Sequence, residues 1–415
     1  MKTIAINASS SHRLLQALIG ATLALVLFAA PSIGTAAKKT ALPYTYYSAG
    51  DPNLAPAVSQ ARPSPSYVLM GGGPDVDDAF RWMIRRAGVV PGSGGRFVVI
   101  RATGDGAYNP YILYSNKKSS TSPDWIDGWV GGASLGLSSV ETLVIPSVEA
   151  ANHDDVVRLV GRANAVWIAG GDQSDYLRYW KGTRLEATLN QLMANNVPIG
   201  GTSAGLAVLG GFDFAALNGT VTSAQALVDP YNPYMTLDPT DPGDPTGITL
   251  STSGGFVAPQ AFANMIFDSH LDSRDRMGRL VTFVSRLIQT SSAAGQSVGC
   301  DGGVLRNSAA RGIGLDVETA LLVAGKERGD QGPKYSAQRV TNVSTAGESA
   351  VYFVDLTLSP TTCAAGKPLA VPASSIVIRK LADSNTTIDF DSLSNLPEYQ
   401  RNGVTGGTLD NPNPY

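Results

Sequence analysis

The five residues Gly201-Thr202-Ser203-Ala204-Gly205 constrain the fold more than any other segment of this chain. They follow the apolar run 197–200 and precede the apolar run 206–209. A strand, a serine between small residues and an apolar helix start together predict a nucleophile elbow, because small neighbours let the backbone turn sharply and expose the hydroxyl. The alternative is a strand-to-helix turn without a nucleophile, since this short pattern recurs by chance.

The other apolar runs predict an α/β fold. Short β-type runs at 66–70, 96–100, 141–145 and 165–169 are each followed by a loop and a helical pattern. This alternation predicts a mostly parallel sheet with helices on both faces, and such sheets bind ligands beyond the carboxyl ends of their strands. Further β-type runs after residue 309 predict an antiparallel, β-rich C-terminal extension.

The N-terminus and the linking segments set the expected domain boundaries. Residues 1–37 combine basic flanks, an apolar stretch and small residues, which predicts a secretory signal peptide; an uncleaved membrane anchor is the alternative. We expect a linker over 38–65 and a hydrolase domain over 66–383. Its loop 230–255, rich in Pro and Asp, is either a solvated insertion or a lid. A polar, loosely packed tail is expected over 384–415.

Composition narrows the class of partner. The 415-residue chain has a net charge of −3 and no basic cluster, which argues against a nucleic-acid partner. Cys300 and Cys363 both lie in the part expected outside the cell, where an oxidising compartment permits one disulfide, although sequence alone does not show whether they meet. The chain has no C-x-x-C pair and no histidine cluster, so we expect no metal site.

A serine nucleophile needs a base within hydrogen-bond reach, and this chain has few histidines. His12 lies in the expected signal peptide, which leaves His153 and His270. His270 follows the serine in the chain and comes directly after an apolar strand pattern, so it is the expected base; a surface or capping role is the alternative. His153 precedes Asp154 and Asp155 at an expected helix start, which favours a structural role.

Three motifs in order carry a family resemblance. They are Ala169-Gly170-Gly171-Asp172-Gln173, the segment 201–205, and Asp268-Ser269-His270 followed by Arg274, Arg276, Met277, Arg279 and Leu280. Together they resemble the cyanophycinase family of serine peptidases, which is related to aspartyl dipeptidases and has a glutamine-amidotransferase-like α/β fold. An exported chain with an extra C-terminal region is most similar to the extracellular branch.

The resemblance implies a substrate and a role for each matching residue. Cyanophycinases hydrolyse cyanophycin, a poly-aspartate whose side chains carry arginine, to β-aspartyl-arginine dipeptides, without a cofactor and as homodimers. The implied roles are nucleophile for Ser203, base for His270, oxyanion N–H donors for Gly171 and Ala204, and substrate binding for Asp172, Gln173, Asp268, Arg274 and Arg276. The alternatives are helix capping for Asp172 and surface ion pairs for the two arginines.

Three departures from the family pattern bear on activity. Ser269 replaces a glutamine, and Val317 stands where the family has a glutamate, with Glu318 one place later. The expected triad acid between serine and histidine is also displaced. We take Asp229 as the candidate, with Asp213 or the amide of Gln225 as alternatives.

These departures keep other functions open. A peptidase for other aspartyl or acidic peptides is one alternative, and a non-catalytic homologue that binds a peptide or polymer is another. An esterase of the α/β-hydrolase fold explains the elbow but not the Gly-Gly-Asp-Gln segment. We expect a secreted protein, or a periplasmic one, with no stable membrane association after processing.

Overall fold

The strand that leads to Ser203 lies inside a large mixed sheet. The computed structural model describes residues 41–54, 64–115, 130–293, 296–327, 329–342 and 349–415, and Leu42–Tyr415 belong to one compact unit. The expected signal peptide and most of the expected linker therefore lie outside the described residues. The strands of the main sheet are β1 (Thr45–Gly50), β2 (Ser66–Met70), β3 (Gly95–Arg101), β4 (Leu137–Val144), β5 (Ala165–Ile168), β6 (Ile199–Thr202), β13 (Thr319–Gly325), β14 (Tyr335–Thr341) and β17 (Thr387–Asp389).

The main sheet is parallel at its centre and antiparallel at its edges. Its described strands run in the order β1-β4-β3-β5-β6-β2-β13-β14-β17. All pairings from β4 to β2 are parallel, and those of β1, β13, β14 and β17 are antiparallel. The carboxyl ends of β2, β5 and β6 therefore meet at one edge, where the glycines after β2, the Gly-Gly-Asp-Gln segment and Ser203 all lie.

Helices cover both faces of the parallel strands. The helices of the described residues are α1 (Asp77–Arg86), α2 (Tyr108–Tyr114), α3 (Gly132–Leu135), α4 (Val148–Ala151), α5 (Asp154–Gly161), α6 (Gln173–Trp180), α7 (Arg184–Ala194), α8 (Ala204–Ala207), α9 (Ser223–Val228) and α10 (Met277–Leu287), with a 3-10 turn at Gln260–Phe262. Along β3, Phe97 and Val99 pack in the core under α1 to α3, whereas Val98 and Ile100 pack in the core under α4 to α7. The period of two along buried strands produces these two layers, and the α/β class is confirmed.

A second sheet lies in the C-terminal half of the chain. Its described strands are β9 (Met265–Asp268), β12 (Arg311–Leu315), β15 (Val351–Leu356), β16 (Val371–Leu381), β18 (Glu398–Thr405) and β19 (Thr408–Leu409). Two small antiparallel ribbons complete the set: β7 (Asp213–Phe214) with β8 (Leu237–Asp238), and β10 (Ser291–Ala293) with β11 (Gln296–Val298). Phe267 and Ile313 face the main-sheet core, and Ile266 packs in a separate core with α10. The predicted β-rich extension is confirmed.

Two expected boundaries differ from the structure. Within the expected linker 38–65, Thr45–Gly50 forms an edge strand against β4. The expected tail 384–415 is not loosely packed: it supplies β17, β18 and β19, and it buries Phe390 and Val404. Its polar composition misled because an antiparallel strand needs apolar residues on one face only.

The long loop and the cysteines are both tied to the domain. In loop 230–255, β8 pairs with β7, and the Asp238 carboxylate forms an ion pair with the Lys181 ammonium at 2.5 Å. Cys300 and Cys363 form a disulfide. None of the helices in the described ranges combines the length and apolar character needed to cross a bilayer.

Candidate active site

Ser203 lies on a strained turn between β6 and α8. Its backbone has φ 53° and ψ −113°, outside the regions that non-glycine residues ordinarily adopt. The flanking glycines make this turn feasible: a Cβ on Gly201 would lie 2.4 Å from the Gly205 backbone, and a Cβ on Gly205 would lie 2.0 Å from the Ile168 carbonyl oxygen. The small residues of the motif are therefore required by packing as well as by the turn.

His270 lies within hydrogen-bond reach of the serine. Ser203 Oγ and His270 Nε2 are 3.0 Å apart. His270 follows the carboxyl end of β9, has φ 49°, and donates its backbone N–H to the Gly71 carbonyl oxygen at 2.8 Å. A Cβ on Gly72 would lie 2.4 Å from His270 Nε2. The structure thus brings the predicted nucleophile and base together and holds the histidine against the glycine loop after β2.

The expected triad acid, Asp229, does not contact the histidine. Asp229 Oδ1 accepts hydrogen bonds from the N–H groups of Tyr231 and Gly366, both at 3.0 Å, so this carboxylate orders a turn. Its position at the end of the short helix α9 directs it to the loop that follows rather than to the end of β9. The assignment of Asp229 as a catalytic residue is therefore wrong.

The two alternatives to Asp229 are also engaged elsewhere. Asp213 is fully buried and accepts hydrogen bonds from the N–H groups of Gly210 and Phe256. Burial, followed by the nearby Asp238 charge, raises the pKa of Asp213 well above its usual range. Gln225 closes the capping box of α9 with Thr222. Among the described residues, none forms a hydrogen bond to the second ring nitrogen of His270.

The position where the family has a glutamate lies close to the glycine loop. A Cβ on Gly73 would lie 3.1 Å from the Val317 Cβ, and the Glu318 N–H donates to the Gly72 carbonyl oxygen at 2.9 Å. An aliphatic side chain thus packs beside the glycine loop at the position of the expected glutamate. Glu318 is held there through its backbone.

Burial and neighbouring cations keep His270 neutral. Burial first, then the positive charges of Arg274 and Arg276, lower the pKa of His270 from 6.5 to about 4, while the Asp268 charge opposes the shift. A neutral imidazole can accept the serine proton, so the resting state suits a general base.

A cavity of about 240 Å³ opens on one side of Ser203. Gly171 and Ala204, the predicted oxyanion donors, line it beside the serine, as do Gln173 and Asp172. Gln173 Nε2 donates to the Phe214 carbonyl oxygen at 3.4 Å. Asp172 caps α6 by accepting from the Ser174 N–H at 2.9 Å, so its structural alternative applies.

Three arginines line the same cavity, in different states of pairing. Arg274 is exposed and has no ion pair with any described residue. Arg276 donates to the Ser269 carbonyl oxygen at 2.8 Å and lies 3.6 Å from Asp268. Arg279 is buried and binds both Asp268 carboxylate oxygens at 2.6 Å. Arg274 is therefore the cation best placed to bind a carboxylate of a ligand.

The structure corrects the role expected for Asp268. Its two oxygens are occupied by Arg279, and Oδ1 also accepts from the Ser269 N–H, so it is not free to bind the guanidinium of a substrate. Arg279, which sequence reasoning placed only within the motif, is the buried partner of this acid. Its spacing of one helical turn from Arg276 at the start of α10 was the available signal.

The remaining histidine and the acidic groups add no second centre. His153 caps α5, where its Nδ1 accepts from the Asp155 N–H at 3.2 Å, in line with the structural role expected for it. Within the described ranges, no group of His, Cys, Asp and Glu is arranged to hold a metal ion. The fold and the site together define an α/β protein with a serine–histidine pair on a nucleophile elbow.

Comparisons with known proteins give one family match and several structural ones. Residues 133–216 match the sequence profile described as peptidase family S51, a stretch that includes the Gly-Gly-Asp-Gln segment and Ser203 but not His270. No curated protein matches the chain significantly. Solved structures that match include the crystal structure of a peptidase from an acI-B1 actinobacterium, at 16% identity and a TM-score of 0.39, covering 74% of this chain and 96% of that one.

Proposed function

We propose that this protein is an exported serine peptidase of the aspartyl dipeptidase type. The observation that carries the proposal is the Ser203–His270 pair, 3.0 Å apart on a strained elbow. The match of residues 133–216 to peptidase family S51 supports the same chemistry. The exposed guanidinium of Arg274, which lines the same cavity as Ser203 and has no ion pair with a described residue, supports a substrate with a carboxylate.

The proposed reaction proceeds through an acyl-enzyme. Ser203 Oγ attacks the scissile carbonyl carbon as its proton moves to His270 Nε2, and the N–H groups of Gly171 and Ala204 bind the developing oxyanion. The imidazolium then donates its proton to the leaving nitrogen as the C–N bond breaks. Water, activated by the same imidazole, hydrolyses the ester and restores the serine.

Within this class, we propose cyanophycin as the substrate. The cavity presents Arg274 and Arg276 for a carboxylate and the amide of Gln173 for a further hydrogen bond. A guanidinium can hold a carboxylate through two parallel hydrogen bonds, which suits a polymer built on aspartate. Ser269 and Val317 differ from the family residues, so other aspartyl peptides form the alternative substrate class.

Export is part of the proposal. The residues expected to form the signal peptide lie outside the described part of the chain. The Cys300–Cys363 disulfide supports an oxidising compartment, because cytosolic thiols are normally kept reduced.

The test is release of soluble β-aspartyl-arginine from purified cyanophycin by the form that starts at Lys38. We expect release by the wild type, none by Ser203→Ala, and normal release by Ser253→Ala, which changes an exposed serine outside the cavity. A folded wild type that releases no dipeptide would contradict the cyanophycin assignment. Activity on other aspartyl dipeptides would then retain the broader class.

A second candidate function is a non-catalytic protein that binds a peptide in the same cleft. It is favoured by the observation that Asp213, Asp229 and Gln225 all have other partners, which leaves His270 without an orienting group among the described residues. Reaction with a fluorophosphonate probe separates the two candidates. Covalent labelling of Ser203 supports a nucleophile, whereas labelling no faster than that of Ser203→Ala supports a binding protein.

A further inference from the structure

A second cavity lies on the other side of the serine–histidine pair. It has a volume of about 250 Å³, and both Ser203 and His270 line it. The glycine loop after β2 and the residues Asp75, Arg101 and Tyr108 complete its wall. The arginine-lined cavity described above touches Ser203 and the expected oxyanion donors, so the reactive pair stands between two spaces.

The proposed acyl transfer assigns different halves of a substrate to these two spaces. The carbonyl oxygen must point to the Gly171 and Ala204 N–H groups, which lie on the side of the arginine-lined cavity. The leaving nitrogen must receive its proton from His270, which lines the second cavity. The leaving half of the substrate therefore extends into the second cavity.

The second cavity contains a carboxyl group with unused hydrogen-bonding capacity. Asp75 Oδ1 is buried and has no hydrogen-bond partner among the residues that the structure describes, although Tyr108 bonds to the same carboxyl group. Burial raises the pKa of Asp75 to about 6. Rotation about the terminal torsion of an aspartate is soft, so either oxygen can meet a donor in the cavity.

The other charge in this wall is held by the protein itself. The Arg101 guanidinium donates from Nε to the Thr103 carbonyl oxygen and from Nη1 to the Asp105 carbonyl oxygen. These bonds tie the cation to the loop after β3. Asp75 is thus the charged group of this cavity with a buried oxygen that no described residue binds, and it calls for an N–H donor, most favourably a cationic one.

We propose that the second cavity is the subsite for the leaving half of the substrate and that Asp75 binds an ammonium or guanidinium group there. This assignment rests on the proposed acyl transfer for the direction of the substrate. It gives the two sides of Ser203 opposite preferences, with carboxylates beside Arg274 and cations beside Asp75.

The test measures binding of two product-like probes to Ser203→Ala, so that no turnover is required. Nα-acetyl-L-arginine amide (arginine amide) carries the guanidinium as its only charge, and Nα-acetyl-L-citrulline amide is its neutral isostere. By calorimetric titration we expect arginine amide to bind about tenfold more tightly, the usual range for one hydrogen bond to a charged group. Adding Asp75→Asn should remove this difference, whereas Asp78→Asn, which changes an exposed aspartate three residues away, should preserve it.

The outcomes separate the subsite from the proposed function. Equal binding of the two probes to Ser203→Ala, no measurable binding of arginine amide, or an unchanged preference after Asp75→Asn would overturn the subsite. The comparison of the two probes in Ser203→Ala stands even if Asp75→Asn fails to fold. If the wild type hydrolyses no aspartyl peptide while Ser203→Ala still prefers arginine amide, the proposed reaction is overturned and the cation site is retained.

Discussion

The glycine after β2 provides the sharpest test of the reactive pair. A Cβ at Gly72 would lie 2.4 Å from His270 Nε2, whereas carbon and nitrogen atoms in contact are about 3.5 Å apart. The imidazole must therefore retreat by about 1 Å in Gly72→Ala. The Ser203–His270 hydrogen bond, now 3.0 Å, would then exceed hydrogen-bond reach. Because a general base contributes about a hundredfold to ten-thousandfold, we expect labelling of Ser203 to slow by about a hundredfold or more.

A second glycine supplies the matched control. Gly72 has φ +94° and Gly92 has φ +81°, but a Cβ at Gly92 would meet no atom within 4 Å. Both alanine variants carry the backbone strain of a left-handed residue, about 1–2 kcal/mol, and only one pushes on the histidine. The assay is the rate of fluorophosphonate labelling, with thermal unfolding of each variant as the check on folding. Labelling of Gly72→Ala within threefold of Gly92→Ala would refute the argument.

Three further predictions concern the pH dependence of activity, the buried ion pair between Arg279 and Asp268, and Tyr415. Because the pKa of His270 is lowered to about 4, its neutral form persists as pH falls. The acidic limb of the pH profile of kcat/KM should therefore lie near pH 4, and a limb near pH 6.5 would contradict this. Arg279→Met leaves the Asp268 carboxylate buried without its bidentate partner, so equilibrium denaturation should show a loss of about 3–5 kcal/mol in the free energy of unfolding. Adding Asp268→Asn should reduce this loss. An equal loss in the single and the double variant would refute the pairing. The Tyr415 hydroxyl accepts from the N–H of Met277, the residue after Arg276, at 3.0 Å. We therefore expect Tyr415→Phe to raise KM for aspartyl substrates a fewfold and to leave kcat unchanged. A change confined to kcat would contradict this positioning role.

The pH dependence of stability follows the same histidine with a definite sign. Between about pH 4 and 6.5 the unfolded chain binds the proton on this imidazole and the folded chain does not. The contribution of His270 to folding stability is therefore complete above pH 6.5 and declines as pH falls towards 4. Labelling rates at low pH must accordingly be compared at temperatures well below the unfolding transition of each sample.

The elbow and the histidine could be predicted because both depend on local sequence. Gly201 and Gly205 are needed by the turn itself, and His270 follows a strand whose carboxyl end reaches the same edge as β6. It could not be predicted that Asp229 lies away from the histidine, because the partner of a side chain depends on how distant loops pack against each other. Asp229 is near Ser203 in the chain, yet its carboxylate binds the N–H of Gly366, far along the sequence.

The three strands of the expected tail, β17 to β19, escaped prediction for a related reason. β18 pairs with β16 across a long connection, and its buried residues are Asn402, Gly403 and Val404, of which only Val404 is a large apolar residue, so its sequence reads as polar. The buried Val404 is visible as a core residue only when β16 is in place. Alternation over a single short strand does not show which other strand it will meet.

No carboxylate among the described residues orients His270, which can be understood from the two functions that such a group performs. An orienting carboxylate fixes the ring and stabilises the imidazolium that forms during reaction. Here the backbone does the first, because the His270 N–H is bound to the Gly71 carbonyl oxygen and the ring abuts Gly72. The imidazolium is not stabilised in the free protein, because the neighbouring arginines disfavour a positive charge on the ring.

A carboxylate-bearing substrate would change that balance. Arg274 is exposed and contributes to the lowered pKa of His270, and a carboxylate bound to it would cancel much of its charge at the ring. Binding of an acidic substrate would therefore raise the pKa of His270 and make it a stronger base when a peptide bond is in place. A neutral peptide would leave the charge of Arg274 uncompensated. The basicity of His270 would therefore depend on whether the ligand carries a carboxylate. Selectivity for aspartyl substrates would then arise in the chemical step as well as in binding.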